Sequence, residues 1–239
     1  MIDIYMTSFF RFNFTHEAVK LIHERTESGT FQIHIFDNGS DKETQKALLY
    51  LLENEKIASL HLDSRNTGCL YNKSIFHAMT ESCNKYYVVT DNDVYPPALT
   101  PSWLVQMTEI MDRHPELAFL TPQFPPQGLS QPEQILNDVI YCRAVGNAFK
   151  IIRKSAFPSF NTSIGAYGDD GLVCNLARKN GFKSAFCRNI FCYHAGQCNN
   201  WGYKPEEIAK DPRKQGYGKP FRYELANELT YEPKPEWKM

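Results

Sequence analysis

The stretch "YYVVTDNDVYPP", residues 86–97, joins an apolar segment to a cluster of acids and ends at two prolines. Aromatic and β-branched residues at 86–90 favour a buried strand. Asp91 and Asp93 follow one residue apart, where two carboxylates repel each other unless a positive charge lies between them. A divalent cation takes such oxygen ligands and keeps positions open for phosphate oxygens. The alternative is a solvated turn, but the place directly after an apolar strand favours a metal-diphosphate site.

Strands alternate with amphipathic helices around this stretch, which is typical of an α/β protein with a mostly parallel sheet covered on both faces. Besides residues 86–91, the apolar pattern predicts strands at 2–9, 31–37, 58–64, 117–122, 145–153 and 184–194. It predicts helices after Thr15, after Ser40, at 71–82, from Pro101, and at 169–180 with Gly181 closing the last one. Residues 122–147 are expected to be largely irregular.

Three of these helices carry start signals. Thr15 can cap a helix that turns Ala18, Val19 and Ile22 inward. Ser40 and Glu43 have the spacing of a capping box. Pro101 fits the first position of a helix, and the apolar stripe of that helix is expected to consist of Trp103, Leu104, Met107, Ile110 and Met111.

Composition sets the limits on the class of protein. A chain of 239 residues with 42% hydrophobic content can bury one sizeable core. The net charge of -1 gives no sequence-wide basic signal for nucleic acid, and the mean hydropathy of -0.45 accompanies a lack of long apolar runs. The first residues are typical of a strand and not of a signal peptide. Seven cysteines without a paired framework fit free thiols, so we expect a soluble, cytoplasmic protein.

Acids follow two of the predicted strands at the point where each strand ends. Asp37 ends the second strand, and Asp91 and Asp93 end the fourth. In an open α/β sheet, ligands bind outside the carboxyl ends of the strands. We therefore expect these carboxylates to lie at one edge of the sheet and to form one site.

Six segments together resemble a family 2 glycosyltransferase of the GT-A fold, in which a Rossmann-like mixed sheet is flanked by helices. The resemblance covers residues 1–198, and its segments are "IFDNGSD", "RNTGCLYNKSIFHA", "VVTDNDV", "GNAFKIIRKSAF", "GAYGDDGLVCNLARKNGFKSAF" and "YHAG". It implies a hexosyltransferase-type enzyme that moves a sugar from a nucleoside diphosphate donor, with UDP favoured, and inverts the anomeric carbon. The implied cofactor is Mn²⁺ or Mg²⁺. The implied acceptor is the hydroxyl of a glycan, a lipid-linked sugar or another molecule, and peripheral contact with a membrane is compatible with this.

The resemblance also implies roles for individual residues. It assigns the metal to Asp91, Asp93 and His194, with Asp91 also facing the nucleotide. It lines the nucleotide pocket with Thr7, Asp37, Asn66, Gly68, Asn72 and Asp91. Two alternatives stay open, since Asp37 can simply cap the following turn and a lone histidine is often a structural residue.

The acidic pair in "YGDDG", Asp169 and Asp170, resembles the pair that holds the catalytic base of the family. An acceptor hydroxyl is a poor nucleophile, so a carboxylate within hydrogen-bond distance must take its proton as the new bond forms. We assign this role to Asp170, although the family more usually has Glu-Asp here. The alternative is that both acids occupy a helix N-terminus, where they interact favourably with the helix dipole.

Residues 199–239 form a polar C-terminal segment. Between 199 and 223 they include six Lys or Arg and three acids. This composition suits a solvated tail, or a lid that closes over the donor and excludes water. The residues expected to act in such a lid are Trp201, Lys214, Tyr217, Lys219 and Arg222.

Three other functions were weighed. A zinc site built from Cys187, Cys192, His194 and Cys198 lacks a C-x-x-C pair. A noncatalytic nucleotide-sugar-binding domain would not need Asp93, Asp170 and His194 together. A sugar nucleotidyltransferase would need a glycine-rich basic loop after the first strand, where "TSFFRFNFT" has no glycine.

Overall fold

The structure is a computed structural model, and it describes residues 1–64, 81–124, 132–146, 148–157 and 170–195. The helices and strands in these ranges are, in chain order, β1 (Ile2–Ser8), α1 (Phe12–Glu24), β2 (Phe31–Asp37), α2 (Lys42–Glu53), β3 (Ser59–Leu62), β4 (Tyr86–Asp91), β5 (Val94–Tyr95), α3 (Trp103–Arg113), β6 (Leu117–Gln123), β7 (Pro132–Ile135), β8 (Val139–Cys142), β9 (Phe149–Arg153), α4 (Asp170–Lys179), β10 (Lys183–Phe191) and β11 (Tyr193–His194). Strands β2 and β4 have the predicted bounds. The helix predicted at 71–82 lies almost entirely outside the described residues.

Nine strands form one sheet in the order β3-β2-β1-β4-β9-β6-β10-β8-β7. The first four strands in this order run parallel to one another. Strand β9 then runs antiparallel between β4 and β6, and β8 and β7 add an antiparallel edge beyond β10. The predicted fold class, a Rossmann-like mixed sheet flanked by helices, is confirmed.

Helices cover both faces of the sheet because successive strand residues point to opposite sides. On one face, Ile4 of β1 and Val88 of β4 pack in a single cluster with residues of α1, α2 and α3. On the other face, Tyr87 of β4 packs with residues of α4. The inward residues predicted for α1 are buried, as is the whole predicted stripe of α3. Within the described residues, no helix is both long and apolar enough to span a membrane.

The predicted starts of α1 and α2 are wrong. Helix α1 begins one turn earlier than Thr15, after Arg11, whose backbone is left-handed at φ 52°. Helix α2 is capped by Asp41, whose side chain accepts a hydrogen bond from the backbone N–H of Thr44 at 2.8 Å. The hydroxyl of Ser40 instead donates to Asp37 and accepts from the backbone N–H of Phe10.

The predicted start of α3 is also displaced. Pro101 lies before the helix and not at its first position, and Ser102 is the cap, with its hydroxyl accepting from Val105 N at 3.4 Å. Neighbouring polar residues offer similar local caps, so tertiary contacts decide which one is used.

The stretch 122–147 is more regular than predicted, because it contains the hairpin strands β7 and β8. Strand β8 is fully buried and pairs with β10, whereas the outer strand β7 is exposed along its length. Strand β7 begins with Pro132, a residue that sheets tolerate at an edge. The exposed strand shows no apolar alternation, so its sequence carries no strand signal.

Gly181 closes α4 as predicted, with φ at +83°. A Cβ at this position would meet no atom within 4 Å, so only the backbone conformation opposes a side chain. We expect Gly181→Ala to lower the free energy of unfolding by about 1 kcal/mol. Urea denaturation measures this. Gly181→Asn is the matched control and should lose less, because asparagine tolerates the left-handed region; equal stability of Gly181→Ala and the wild type would contradict the prediction.

Candidate metal and nucleotide site

The acids predicted to converge do lie at one edge of the sheet. The register pairs Ser8 of β1 with Asp37 of β2, and Thr7 of β1 with Asp91 of β4. Three neighbouring parallel strands therefore end side by side at Ser8, Asp37 and Asp91, and Thr7 lies one residue before the end of β1. This is the carboxyl edge, where open α/β sheets bind their ligands.

Asp91, Asp93 and His194 form a compact group at this edge. Each offers one ligand atom, and these atoms all lie within 4.8 Å of one another. The histidine arrives from much later in the chain because β11 pairs antiparallel with β5, which sets His194 opposite Val94. The backbone N–H of Ala195 also donates to the carbonyl of Asp93 at 2.7 Å. This bond holds the end of β11 next to the acids.

Asp93 is a buried carboxylate, with 1% of its side chain exposed. Its Oδ2 accepts from Nη1 of Arg11 at 2.9 Å, and its Oδ1 lies 3.3 Å from Nε2 of His194. Burial raises the pKa of Asp93, but His194 and Arg11 outweigh it, so the pKa of this carboxyl lies below its usual value. Asp93 is therefore charged at neutral pH.

The donor set fits a divalent cation. Oδ1 of Asp93 is buried and accepts no hydrogen bond from the described residues, although buried carboxylate oxygens normally accept one. Ligand atoms around a six-coordinate cation are separated by about 3 Å when adjacent, which is close to the 3.3 Å between this oxygen and His194 Nε2. Asp91 is only half-buried, so the group is open on one side.

Arg11 was not predicted to be a site residue. The one feature of its loop that entered the prediction was the absence of glycine after the first strand. Its Nη2 also reaches Oδ1 of Asn92 at 3.5 Å. The amide of Asn92 donates to Thr15 at 2.9 Å, and the hydroxyls of Thr15 and Ser8 are 3.2 Å apart. Thr15 thus supports the loop between the two acids rather than capping α1. A lone arginine in a loop carries no pattern that indicates such a contact.

Asp37 lies at the predicted edge but is completely buried. Its oxygens accept from the backbone N–H of Ser40 at 2.9 Å, from the Ser40 hydroxyl, and from the amide of Gln45 at 3.0 Å. These are the contacts of the turn-capping alternative. Binding of the nucleobase by Asp37 stays a prediction.

The remaining predicted residues fall largely outside the described part of the chain. Asp170 is the first residue of α4, and nothing is described of its side chain. The residues outside the described ranges are Asn66, Gly68, Asn72, Asp169, Trp201, Lys214, Tyr217, Lys219 and Arg222, and the same holds for the domain boundary at 198/199.

The cysteines do not form a metal site among the described residues. The group there that can hold a metal joins His194 to the two aspartates and includes neither Cys187 nor Cys192. Burial raises the pKa of both thiols, which disfavours the thiolate that a zinc site needs. The fourth predicted zinc ligand, Cys198, lies outside the described residues.

Comparison with known proteins adds a fold relationship. No protein-family model matches the sequence, and no curated protein matches it. Among solved structures, the mannosyltransferase PcManGT from Pyrobaculum calidifontis, in complex with GDP-Man and Mn²⁺, superposes with a TM-score of 0.62 at 15% identity over 87% of this chain and 59% of that one. GalNAc-T7 with UDP, GalNAc and Mn²⁺ superposes at 0.65 and 12% identity over 81% of this chain and 44% of that one.

A third solved structure, residues 1–349 of S. aureus TarS, superposes with a TM-score of 0.60 at 14% identity over 87% of this chain and 63% of that one. This chain therefore spans less than two thirds of the length of each of these proteins. Identities this low establish the fold alone. The resemblance read from the sequence motifs is confirmed at that level: the chain has the GT-A fold of the glycosyltransferases.

Proposed function

We propose that the protein is a divalent-metal-dependent glycosyltransferase that uses a nucleoside diphosphate sugar. The observation that carries this is the group of Asp91, Asp93 and His194 at the carboxyl edge of a GT-A sheet, with a buried Asp93 oxygen that no described residue hydrogen-bonds. The donor set suits Mn²⁺ or Mg²⁺ better than a thiol-binding metal.

The residues of the chain divide the chemistry between two places. Asp93 and His194, with Asp91 on the open side, would hold the cation, which when bound neutralises the departing diphosphate. Asp93 is preset for this role because its carboxylate is already charged at neutral pH. The turn between Asp91 and Asp93 is held by Asn92, whose amide is bonded to α1 through Thr15.

The acceptor is activated by the acidic pair in this proposal. The carboxylate of Asp170 takes the proton of the acceptor hydroxyl while the hydroxyl oxygen bonds to the anomeric carbon and the bond to the diphosphate breaks. A single displacement of this kind inverts the anomeric carbon through an oxocarbenium-like state. Its support is the "YGDDG" resemblance. Helix α4 begins at Asp170, which is also where the helix-dipole alternative places the acidic pair.

UDP is the favoured nucleotide of the donor. GalNAc-T7 was solved with UDP, and TarS 1-349 was also solved in complex with UDP, whereas PcManGT was solved with GDP-Man. These proteins share one fold and differ in the nucleotide, so the donor must be tested directly. The transferred group in the proposal is a hexose, and the acceptor is a hydroxyl of a glycan, a lipid-linked sugar or another molecule.

The test of the function is a screen of nucleotide sugars for metal-dependent hydrolysis. Many glycosyltransferases slowly transfer the donor sugar to water, so the acceptor need not be known. We expect release of nucleoside diphosphate from at least one donor with Mn²⁺ and none in EDTA. Donor binding without turnover under all conditions would favour a noncatalytic binding domain, and release of pyrophosphate from a nucleoside triphosphate would favour a nucleotidyltransferase.

The assignment of the base is tested by two neighbouring variants. We expect Asp170→Asn to lower transfer at least about a hundredfold while donor affinity changes little, because the base acts on the acceptor. Single-turnover transfer and calorimetry with UDP and Mn²⁺ measure the two quantities. Asp169→Asn is the matched control; an inactive control beside a fully active Asp170→Asn would reverse the assignment, and two active variants would make the pair structural.

The C-terminal segment is proposed to close over the donor. A chain truncated after Cys198 should keep the fold, as judged by circular dichroism, and lose transfer activity, because Lys214, Lys219 and Arg222 no longer reach the diphosphate and water is no longer excluded. The double variant Lys219→Ala, Arg222→Ala in the full-length chain removes two positive charges but keeps the segment. It therefore distinguishes the effect of these charges from the effect of losing the whole segment. Full activity of the truncated protein would remove the segment from the mechanism.

A further inference from the structure

Arg11 is held in an unusual backbone conformation directly beside the metal ligands. Phe10 and Arg11 are consecutive residues in the left-handed region, at φ 51° and 52°, a conformation that non-glycine residues rarely adopt. The backbone N–H of Phe10 donates to the Ser40 hydroxyl at 2.7 Å, and the Arg11 carbonyl accepts from Phe14 N at 2.9 Å. The loop is thus anchored at both ends in the conformation that directs Arg11 toward Asp93.

The side chain of Arg11 is braced as well. Its guanidinium lies over the ring of Phe14, 5.5 Å from the centroid, and bonds to Asp93 and Asn92. The side chain nevertheless remains 30% exposed, whereas that of Asp93 is 1% exposed. One side of the guanidinium therefore contacts the metal ligand, and the remainder is accessible at the edge of the sheet.

Two positive groups would share one carboxylate once a cation binds. Arg11 occupies Oδ2 of Asp93, and the cation would use Oδ1. The guanidinium and a divalent ion would then repel each other across this carboxylate. Binding of the ion alone is opposed by this repulsion. A diphosphate that touches both groups would cancel it.

We propose that Arg11 binds the diphosphate of the donor and thereby makes metal binding depend on the nucleotide. This inference rests on the proposed function. Arg11 keeps its bond to Asp93 and presents its exposed N–H groups to the phosphate oxygens, as guanidinium groups do in phosphate sites. The cation and the diphosphate then strengthen each other's binding by the same factor.

The decisive variant is Arg11→Gln, which removes the charge and keeps a hydrogen-bonding side chain. We expect it to bind Mn²⁺ alone about tenfold more tightly than the wild type, because the repulsion is gone. We expect it to bind UDP in saturating Mn²⁺ about tenfold more weakly. If Arg11 only positioned the carboxylate of Asp93, the substitution would give the opposite result for the metal, because a misplaced carboxylate would weaken Mn²⁺ binding.

The measurements are electron paramagnetic resonance of free Mn²⁺ for the ion alone, and calorimetry with UDP at saturating Mn²⁺. Arg113→Gln is the control, because Arg113 forms an exposed ion pair with Asp138 elsewhere on the protein. Arg11→Lys keeps the charge and should leave Mn²⁺ affinity near the wild-type value while weakening UDP. Thermal melting shows whether Arg11→Gln folds. If it does not, the UDP affinity of Arg11→Lys tests the proposal instead.

The outcomes separate the two proposals. If the wild-type protein binds no Mn²⁺ even with UDP, the proposed function fails. If the wild type binds both ligands but Arg11→Gln binds Mn²⁺ alone no more tightly than the wild type, the function stands and the inference about Arg11 is wrong. Unchanged UDP affinity in both Arg11 variants would also overturn it.

Discussion

Asp93→Asn should lower metal-dependent turnover of the donor about a thousandfold or more. The substitution keeps the shape of the side chain but removes the charge that binds the cation, and a cation at a departing diphosphate stabilises the transition state by several kcal/mol. Asp93 is also the point where Arg11 and His194 meet, so no other described side chain replaces it. Hydrolysis of the donor found in the nucleotide-sugar screen, measured over a range of Mn²⁺ concentrations, gives the ratio of kcat/KM.

The matched control is Asp112→Asn, which alters an exposed acid that pairs with Lys85 and is not part of the metal group. This variant should behave as the wild type. Thermal melting of Asp93→Asn must show a folded protein, since the variant leaves the guanidinium of Arg11 next to a neutral amide. A folded Asp93→Asn with wild-type turnover and Mn²⁺ dependence would refute the metal role of this residue.

Arg153→Met should lower the free energy of unfolding by about 3–5 kcal/mol. Arg153 is buried in β9, where its guanidinium donates to the carbonyls of Leu117 and His114 at 2.8 and 3.1 Å and to the hydroxyl of Tyr86 at 3.0 Å. Methionine fills the space of the aliphatic stem but leaves these acceptors buried without a donor, and hydrogen bonds to charged groups are worth about 1.5–3 kcal/mol each. Urea denaturation at neutral pH measures the loss.

Arg113→Met provides the comparison for this second experiment. Arg113 pairs with an acid, Asp138, but its side chain is 55% exposed, and exposed ion pairs contribute about 0–1 kcal/mol. The difference between the two variants isolates the effect of burial. Equal stability of the two variants would show that water enters the Arg153 site and solvates its acceptors.

Elements with a local signal were predictable from the amino-acid pattern. Strands β2 and β4 have the predicted bounds because each is a continuous run of β-forming residues that ends at an aspartate. The buried stripe of α3 follows from helical spacing alone, and Gly181 follows from the need for a left-handed residue after α4. The edge where Asp37 and Asp91 end their strands was also predictable, because parallel strands place their carboxyl ends together.

Which side chains meet at that edge depends on contacts between residues that are far apart in the chain. His194 joins Asp93 through the pairing of two-residue strands that are too short to have a sequence pattern of their own. Arg11 bonds to the same carboxylate from a loop in the left-handed conformation. Ser40 bonds to Asp37 and does not cap α2 as predicted. The physical reason is common to all three. A polar side chain has several local partners of similar energy, and the distant groups that burial brings within hydrogen-bond distance decide among them.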